Sequence, residues 1–206
     1  MGVPLPTLSL TDFLDWENAQ PERHEFYRGE VFAMTGGRRS HGRVVSNLVR
    51  HFGNALAGSP CQVFSESMKI QIGMDTVLYP DVFVTCDQAD LATEIIFRAP
   101  SLVIEVLSPS TQAYDRSQKF ALYRRLEALK EYVLVDPDTR RIEAFRRHAD
   151  GYWVLCDMSQ DEAMELPCIA CRVTLADVFA GVDPPVESPV LPPVLPPVSA
   201  PVLPPI

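Results

Sequence analysis

Two carboxylates and one ammonium fall in stretches whose pattern calls for apolar side chains. Glu105 lies inside Leu102-Val103-Ile104-Glu105-Val106-Leu107, where an isolated ionised carboxylate would cost several kcal/mol. Asp81 is set in Leu78-Tyr79-Pro80-Asp81-Val82-Phe83-Val84, directly after a proline that restricts strand pairing. Lys119 precedes Leu122, Tyr123 and Leu126 by three, four and seven residues, which puts it on the core-facing stripe of a helix. Each has a plainer reading. Glu105 could form a salt bridge or reach water at a strand end, and Lys119 could snorkel or pair with Asp115 at i,i+4, worth a few tenths of a kcal/mol. Together they make a set suited to phosphodiester hydrolysis. A hard cation between the carboxylates would polarise the phosphate and activate water, and the ammonium would steady that water or the developing charge.

Lesser candidates surround this set. Glu25, in His24-Glu25-Phe26-Tyr27, could add an acidic ligand or be an exposed strand charge. His41 opens a helix after Gly36-Gly37-Arg38-Arg39-Ser40, and Arg38, Arg39 and Arg43 beside it could contact phosphate or form an ordinary solvated face. Cys168 and Cys171 have the spacing of a metal knuckle but lack the two further ligands of a closed zinc site, so packing explains them better. Ser108, Ser110 and Thr111 lack an evident base and suit helix capping. No Gly-rich nucleotide-binding signature is present.

The elements that must position these residues are legible in outline. Ser9 or Thr11 caps a helix carrying Leu10, Phe13, Leu14 and Trp16, ended by Pro21. A hairpin over 24–27 and 31–34 turns at Arg28-Gly29-Glu30. An amphipathic helix spans 40–57, with Gly58 as its stop. Strands are expected over 62–65, 68–72, 78–85 and 102–107, the last buried on both faces. A helix then runs from Ser110 or Thr111 through Phe120, Leu122, Tyr123, Leu126 and Leu129. Strands over 132–135, 142–145 and 153–156 follow, with a short helix near 175–179. Helix and strand mix without strict alternation, which favours an α+β or α/β domain on a mixed central sheet.

At 206 residues and 47% apolar content, the chain suffices for one buried core with an appendage. From about Asp183 a Pro-Val-Leu-Pro repeat dominates, giving a folded domain over 1–182 and a proline-rich disordered tail over 183–206. The tail reads as a solvated polyproline II segment, or as a ligand for protein partners. No signal segment or membrane span is evident. Five cysteines, several in apolar runs, suit free buried thiols in a reducing, cytoplasmic setting. A net charge of -9 weighs against a broad nucleic-acid surface, although a bound cation can supply local positive charge.

The ordered segments HEFYRGEVFAMTG, SHGRVVSNL, YPDVFV, APSLVIEVLSPST, DRSQKFALYRRL and EYVLVDP resemble the Uma2 family (DUF820), assigned to the PD-(D/E)XK nuclease superfamily, across about residues 8–179. The resemblance implies a restriction-endonuclease-like fold with a four-stranded mixed sheet flanked by helices, Mg2+ or Mn2+ at the acidic site, DNA as substrate, and a homodimer. It makes Asp81 and Glu105 the metal ligands and matches Glu25 and His41 to the family's upstream Glu and His. The superfamily pattern places a lysine two residues after the glutamate, where Leu107 stands, so Lys119 is expected to deliver the ammonium from the next helix, oriented by Asp115. A fold that lacks this delivery would serve instead as a catalytically inactive module for binding nucleic acid or protein.

Overall fold

The computed structural model describes residues 8–34 and 36–183, so the proline-rich segment lies outside the described residues apart from Asp183. Helix α1 (Leu10–Glu17) is capped by Ser9, whose Oγ accepts from the Asp12 N–H at 3.2 Å; it ends at Glu17, four residues short of Pro21. Its Leu10 and Phe13 pack against Phe26 and Val77. Strands β1 (His24–Tyr27) and β2 (Glu30–Ala33) form the expected hairpin. Arg28 and Gly29 both take positive φ, 49° and 91°, the combination a two-residue hairpin turn requires.

Helix α2 (Arg39–Ala55) buries Val44, Val45, Leu48 and Phe52, one helical stripe. Strands β3 (Gln62–Ser65) and β4 (Lys69–Ile72) follow. The single strand expected over 78–85 is instead two, β5 (Thr76–Leu78) and β6 (Val82–Thr85), which belong to different sheets. Pro80 has no N–H for a ladder, and the chain leaves one sheet and enters the other at Tyr79-Pro80-Asp81. After α3 (Gln88–Leu91) and β7 (Ile96–Phe97) comes β8 (Pro100–Val106), buried along most of its length.

The next helix is shorter than the sequence suggests. It comprises α4 (Gln112–Tyr114), a π turn over Asp115–Lys119, and α5 (Phe120–Tyr123), so Leu126 and Leu129 pack from the loop beyond it. Strands β9 (Glu131–Asp136), β10 (Arg141–Arg147) and β11 (Trp153–Asp157), then β12 (Ala163–Leu166) and β13 (Cys171–Thr174), lead to α6 (Leu175–Val178).

The central sheet is mixed but has six strands rather than four, in the order β11-β10-β9-β8-β6-β3, with β8 and β9 parallel. A second sheet of five strands, β2-β1-β5-β4-β7, and a two-stranded ribbon of β12 and β13 complete the fold. Alternation along the central strands divides the core. Val82, Val84, Leu102, Ile104 and Val106 join the cluster beneath α2, β13 and α6. Phe83, Val103 and Leu107 join Ile70, Leu78, Leu122 and Tyr123 in the other. Period two therefore sends Glu105 into the second, helix-covered layer.

The cysteine expectation needs correction: Cys61 and Cys86 form a disulfide. In the antiparallel pair β3–β6, Gln62 faces Thr85, and one further step outward sets Cys61 opposite Cys86. Only Cys156, Cys168 and Cys171 are free, so the cysteines no longer argue for a reducing compartment. At the far end of the sheet the β10–β11 turn passes through Gly151, with the His148 and Tyr152 rings stacked at 4.4 Å. Glu131, Leu102 and Arg146 lie at that end, whereas Glu105 lies at the other. Among the described residues no helix is long and apolar enough to cross a membrane.

Candidate active site

The site gathers where the chain changes sheets. Glu66 follows β3 and Asp81 precedes β6, and continuing the register of Ser65 with Val82 places these two acids opposite one another. Their backbones are joined by the Glu66 N–H donating to the Asp81 carbonyl at 3.2 Å. Asp81 Oδ2 accepts from the Val106 N–H at 2.6 Å and lies 3.2 Å from His41 Nε2 in the first turn of α2. Burial alone would lower the His41 pKa, but its bond to Asp81 and the charges of Asp81, Glu66 and Asp115 raise it above the usual histidine range. Glu66 holds φ of 39°, a left-handed conformation that costs a non-glycine residue of order 1 kcal/mol.

Lys119 sits in a carboxylate cage. Its Nζ lies 3.0 Å from Glu105 Oε1, 3.2 Å from Glu25 Oε1 and 3.9 Å from Asp115 Oδ1, and donates to the Tyr79 carbonyl at 3.4 Å. Lys119 is 6% exposed and Glu105 2%. Burial would depress the ammonium's pKa, yet Glu105, Glu25 and Asp115 together hold it above lysine's ordinary value. Burial pushes the Glu105 carboxyl well up, and Asp81, Asp115 and Glu25 add to this while Lys119 opposes it. Asp115 is raised for the same reasons, burial first. Five carboxylates, those of Glu25, Glu66, Asp81, Glu105 and Asp115, thus share one ammonium and one imidazole.

The structure brings Asp81, Glu105, Lys119, Glu25 and His41 into one neighbourhood, and Glu25 is buried rather than an exposed strand charge. Lys119 reaches Glu105 from the π turn of its helix, while Leu107 is buried in the apolar cluster with Leu122 and Tyr123. Glu66 escaped the sequence reading because Ser65 and Ser67 flank it and no apolar context marks it. The signal that could have found it is register: any pairing of β3 with β6 that sets Cys61 opposite Cys86 also sets Glu66 opposite Asp81.

Among the described residues His41, Glu66 and Asp81 are the three-ligand group able to hold an ion, their donor atoms all within 4.8 Å of one another. An imidazole and two carboxylates suit Mn2+, or Mg2+ with retained waters. Glu105 lies outside this group, and its buried Oε1 is compensated by the Lys119 ammonium 3.0 Å away. The arginines are less free than the sequence suggests. Arg38 pairs with Asp138 at 2.6 Å, Arg39 pairs with Asp183, and Arg43 packs beside Gly181. Both ion pairs are exposed, worth at most about 1 kcal/mol, so a phosphate can displace either carboxylate. Cys171 packs in the core with Cys168 against it, in keeping with the packing role expected for both.

Comparisons with known proteins bear on the family and the fold. A family profile described as "Uma2: Putative restriction endonuclease" matches residues 10–176. The uncharacterized protein slr1290 of Synechocystis sp. is 37% identical over 183 residues, covering 88% of this chain and 96% of that protein. The uncharacterized protein sll1609 of the same organism is 30% identical over 159 residues, covering 76% and 90%. A crystal structure from Anabaena variabilis, described as a putative nuclease belonging to DUF820, superposes with a TM-score of 0.68 at 20% identity, covering 84% of this chain and 97% of that one. The chain therefore has a nuclease-like α+β fold, and it belongs to the Uma2 family.

Proposed function

We propose that this protein is a Mg2+- or Mn2+-dependent endonuclease that hydrolyses DNA. The observation that carries the reading is the Lys119 ammonium 3.0 Å from Glu105, beside the His41–Glu66–Asp81 group. Asp81, Glu66 and His41 would hold the metal, with Glu105, outside that group, as the further ligand tested below, and the metal would supply Lewis-acid polarisation of the phosphate and a more acidic water. Lys119 steadies the attacking water and the charge that develops on the phosphoryl oxygens. Glu25 and Asp115 hold the ammonium in place and keep it protonated. Arg38, Arg39 and Arg43, on the first turns of α2 beside His41, take up the flanking phosphates. A homodimer is the proposed assembly, its candidate seam the edge strand β11 with Val154 and Leu155 exposed. Sedimentation as a monomer at micromolar concentration decides against it.

The decisive experiment follows Mn2+ binding by calorimetry and plasmid nicking on the same samples of wild type, Asp81→Ala, Glu105→Ala and Lys119→Ala. Loss of binding in the acid variants, with nicking also lost in Lys119→Ala, is the expected result. Nicking that persists in Glu105→Ala overturns the reading. The specific observation favouring the inactive-module alternative is that Arg38 and Arg39 already have acidic partners on a chain of net charge -9. That alternative gains if wild type cuts nothing in any divalent metal.

A further inference from the structure

A second buried carboxylate, outside the set above, is tied to the site through one tyrosine. Glu17, the last residue of α1, is buried, and a carboxylate there must be compensated. Its Oε1 accepts from the His24 N–H at 2.9 Å and from the Tyr79 hydroxyl at 2.9 Å, and its Oε2 lies 3.0 Å from His24 Nδ1. Tyr79 is buried too and stands at the corner where the chain changes sheets. Its N–H donates to Glu25 Oε1 at 3.2 Å, and its carbonyl accepts from Lys119 Nζ. One residue is therefore fixed at its hydroxyl by Glu17 and touches, through its own peptide groups, both an acid of the cage and the ammonium inside it.

We infer that Glu17 and Tyr79 are positioning residues for Lys119: the Glu17–Tyr79 hydrogen bond holds the corner peptide that orients the ammonium and Glu25. The inference rests on the endonuclease reading for its catalytic consequence, but not for its geometry. Tyr79 and Pro80 pair with neither sheet, so the tyrosine hydroxyl supplies a tether where the ladders supply none. A misplacement of about 1 Å at a reacting group costs on the order of a hundredfold in rate, so a loosened corner is expected to appear in kcat and not in substrate affinity.

The test uses the full-length protein and two readouts: nicking kinetics in Mn2+, and proton exchange of the Lys119 ammonium by NMR, its signal assigned from its loss in Lys119→Met. Tyr79→Phe removes only the hydroxyl. It is expected to lower kcat about tenfold or more with KM within about twofold, and to speed Lys119 ammonium exchange by about the same factor. Glu17→Ala should do the same, while Glu17→Gln, which keeps both acceptor bonds on Oε1, should stay near wild type. Thr85→Val removes a buried hydroxyl bonded to Asp90 at the far end of β6. It should lower the unfolding midpoint without moving either readout. If Tyr79→Phe only loses stability, as Thr85→Val does, and leaves both kcat and ammonium exchange unchanged, the inference is overturned. If wild type cuts no DNA while Tyr79→Phe still frees the ammonium, the endonuclease reading fails and the positioning role stands.

Discussion

Replacing Lys119 by Met leaves Glu25, Glu105 and Asp115 facing one another without the ammonium, and breaking a buried pair in this way costs about 3 kcal/mol. Urea unfolding at pH 7 measures it, and the cost should shrink as the pH is lowered, because burial already favours the protonated Glu105 carboxyl. The wild type without metal has its own pH dependence. Glu105, Asp115 and His41 all have folded-state pKa values above their ordinary ones, so the folded state binds protons more tightly than the unfolded chain. Their contribution is full below the ordinary values and is lost as pH rises through the raised ones. Unfolding midpoints in EDTA should therefore fall as pH climbs from about 5 to 8, and Glu105→Gln should flatten that fall. A midpoint that rises across this range contradicts the charge arrangement. At this scale much of the site was legible: Asp81, Glu105 and Lys119 announce themselves as charges amid apolar neighbours. Glu17 and Glu66 do not, because the first ends an exposed-looking helix and the second sits between serines.

The pairing of β3 with β6 fixes the distance between Glu66 and Asp81, and the Cys61–Cys86 disulfide fixes that pairing from its other end. Closing a loop of 25 residues' separation restricts the unfolded chain by about 3.5 kcal/mol on the chain-entropy account. Reduction, or Cys61→Ser with Cys86→Ser, should lower the unfolding free energy by an amount of that order. Equal denaturant midpoints with and without reductant would show the link contributes nothing. Hydrophobic period placed the longer helices and the strands of the central sheet, most of which bury a face, but it gave no expectation of α3, β7, β12 or β13. It could not show the sheet change at Tyr79–Asp81, since apolar residues continue on both sides of Pro80 and burial looks the same in either sheet. The π turn over Asp115–Lys119 was equally hidden: one extra residue per turn barely alters an apolar stripe, yet it lies in the turn that carries Lys119 to its carboxylates.

Over the whole molecule, a net charge of -9 and the paired arginines limit how nucleic acid can be held. If only Arg38, Arg39 and Arg43 neutralise phosphates, log Kobs for duplex DNA should fall against log salt with a slope of about -3 or shallower at fixed Mn2+. A slope steeper than about -6 would require a basic surface that lies elsewhere. Composition gave the sign of this balance but not its distribution, because the pairing of Arg38 with Asp138 spans residues far apart in the chain. The β10–β11 turn, with His148 stacked on Tyr152, projects from the end of the central sheet remote from Glu105. Anyone wishing to tether the protein to a bead, or graft a fluorescent reporter into it, has a natural handle there, since an exposed loop tip accepts foreign sequence more readily than other backbone. A molecule anchored by that turn would present its acidic cluster outward to whatever polymer is drawn past it.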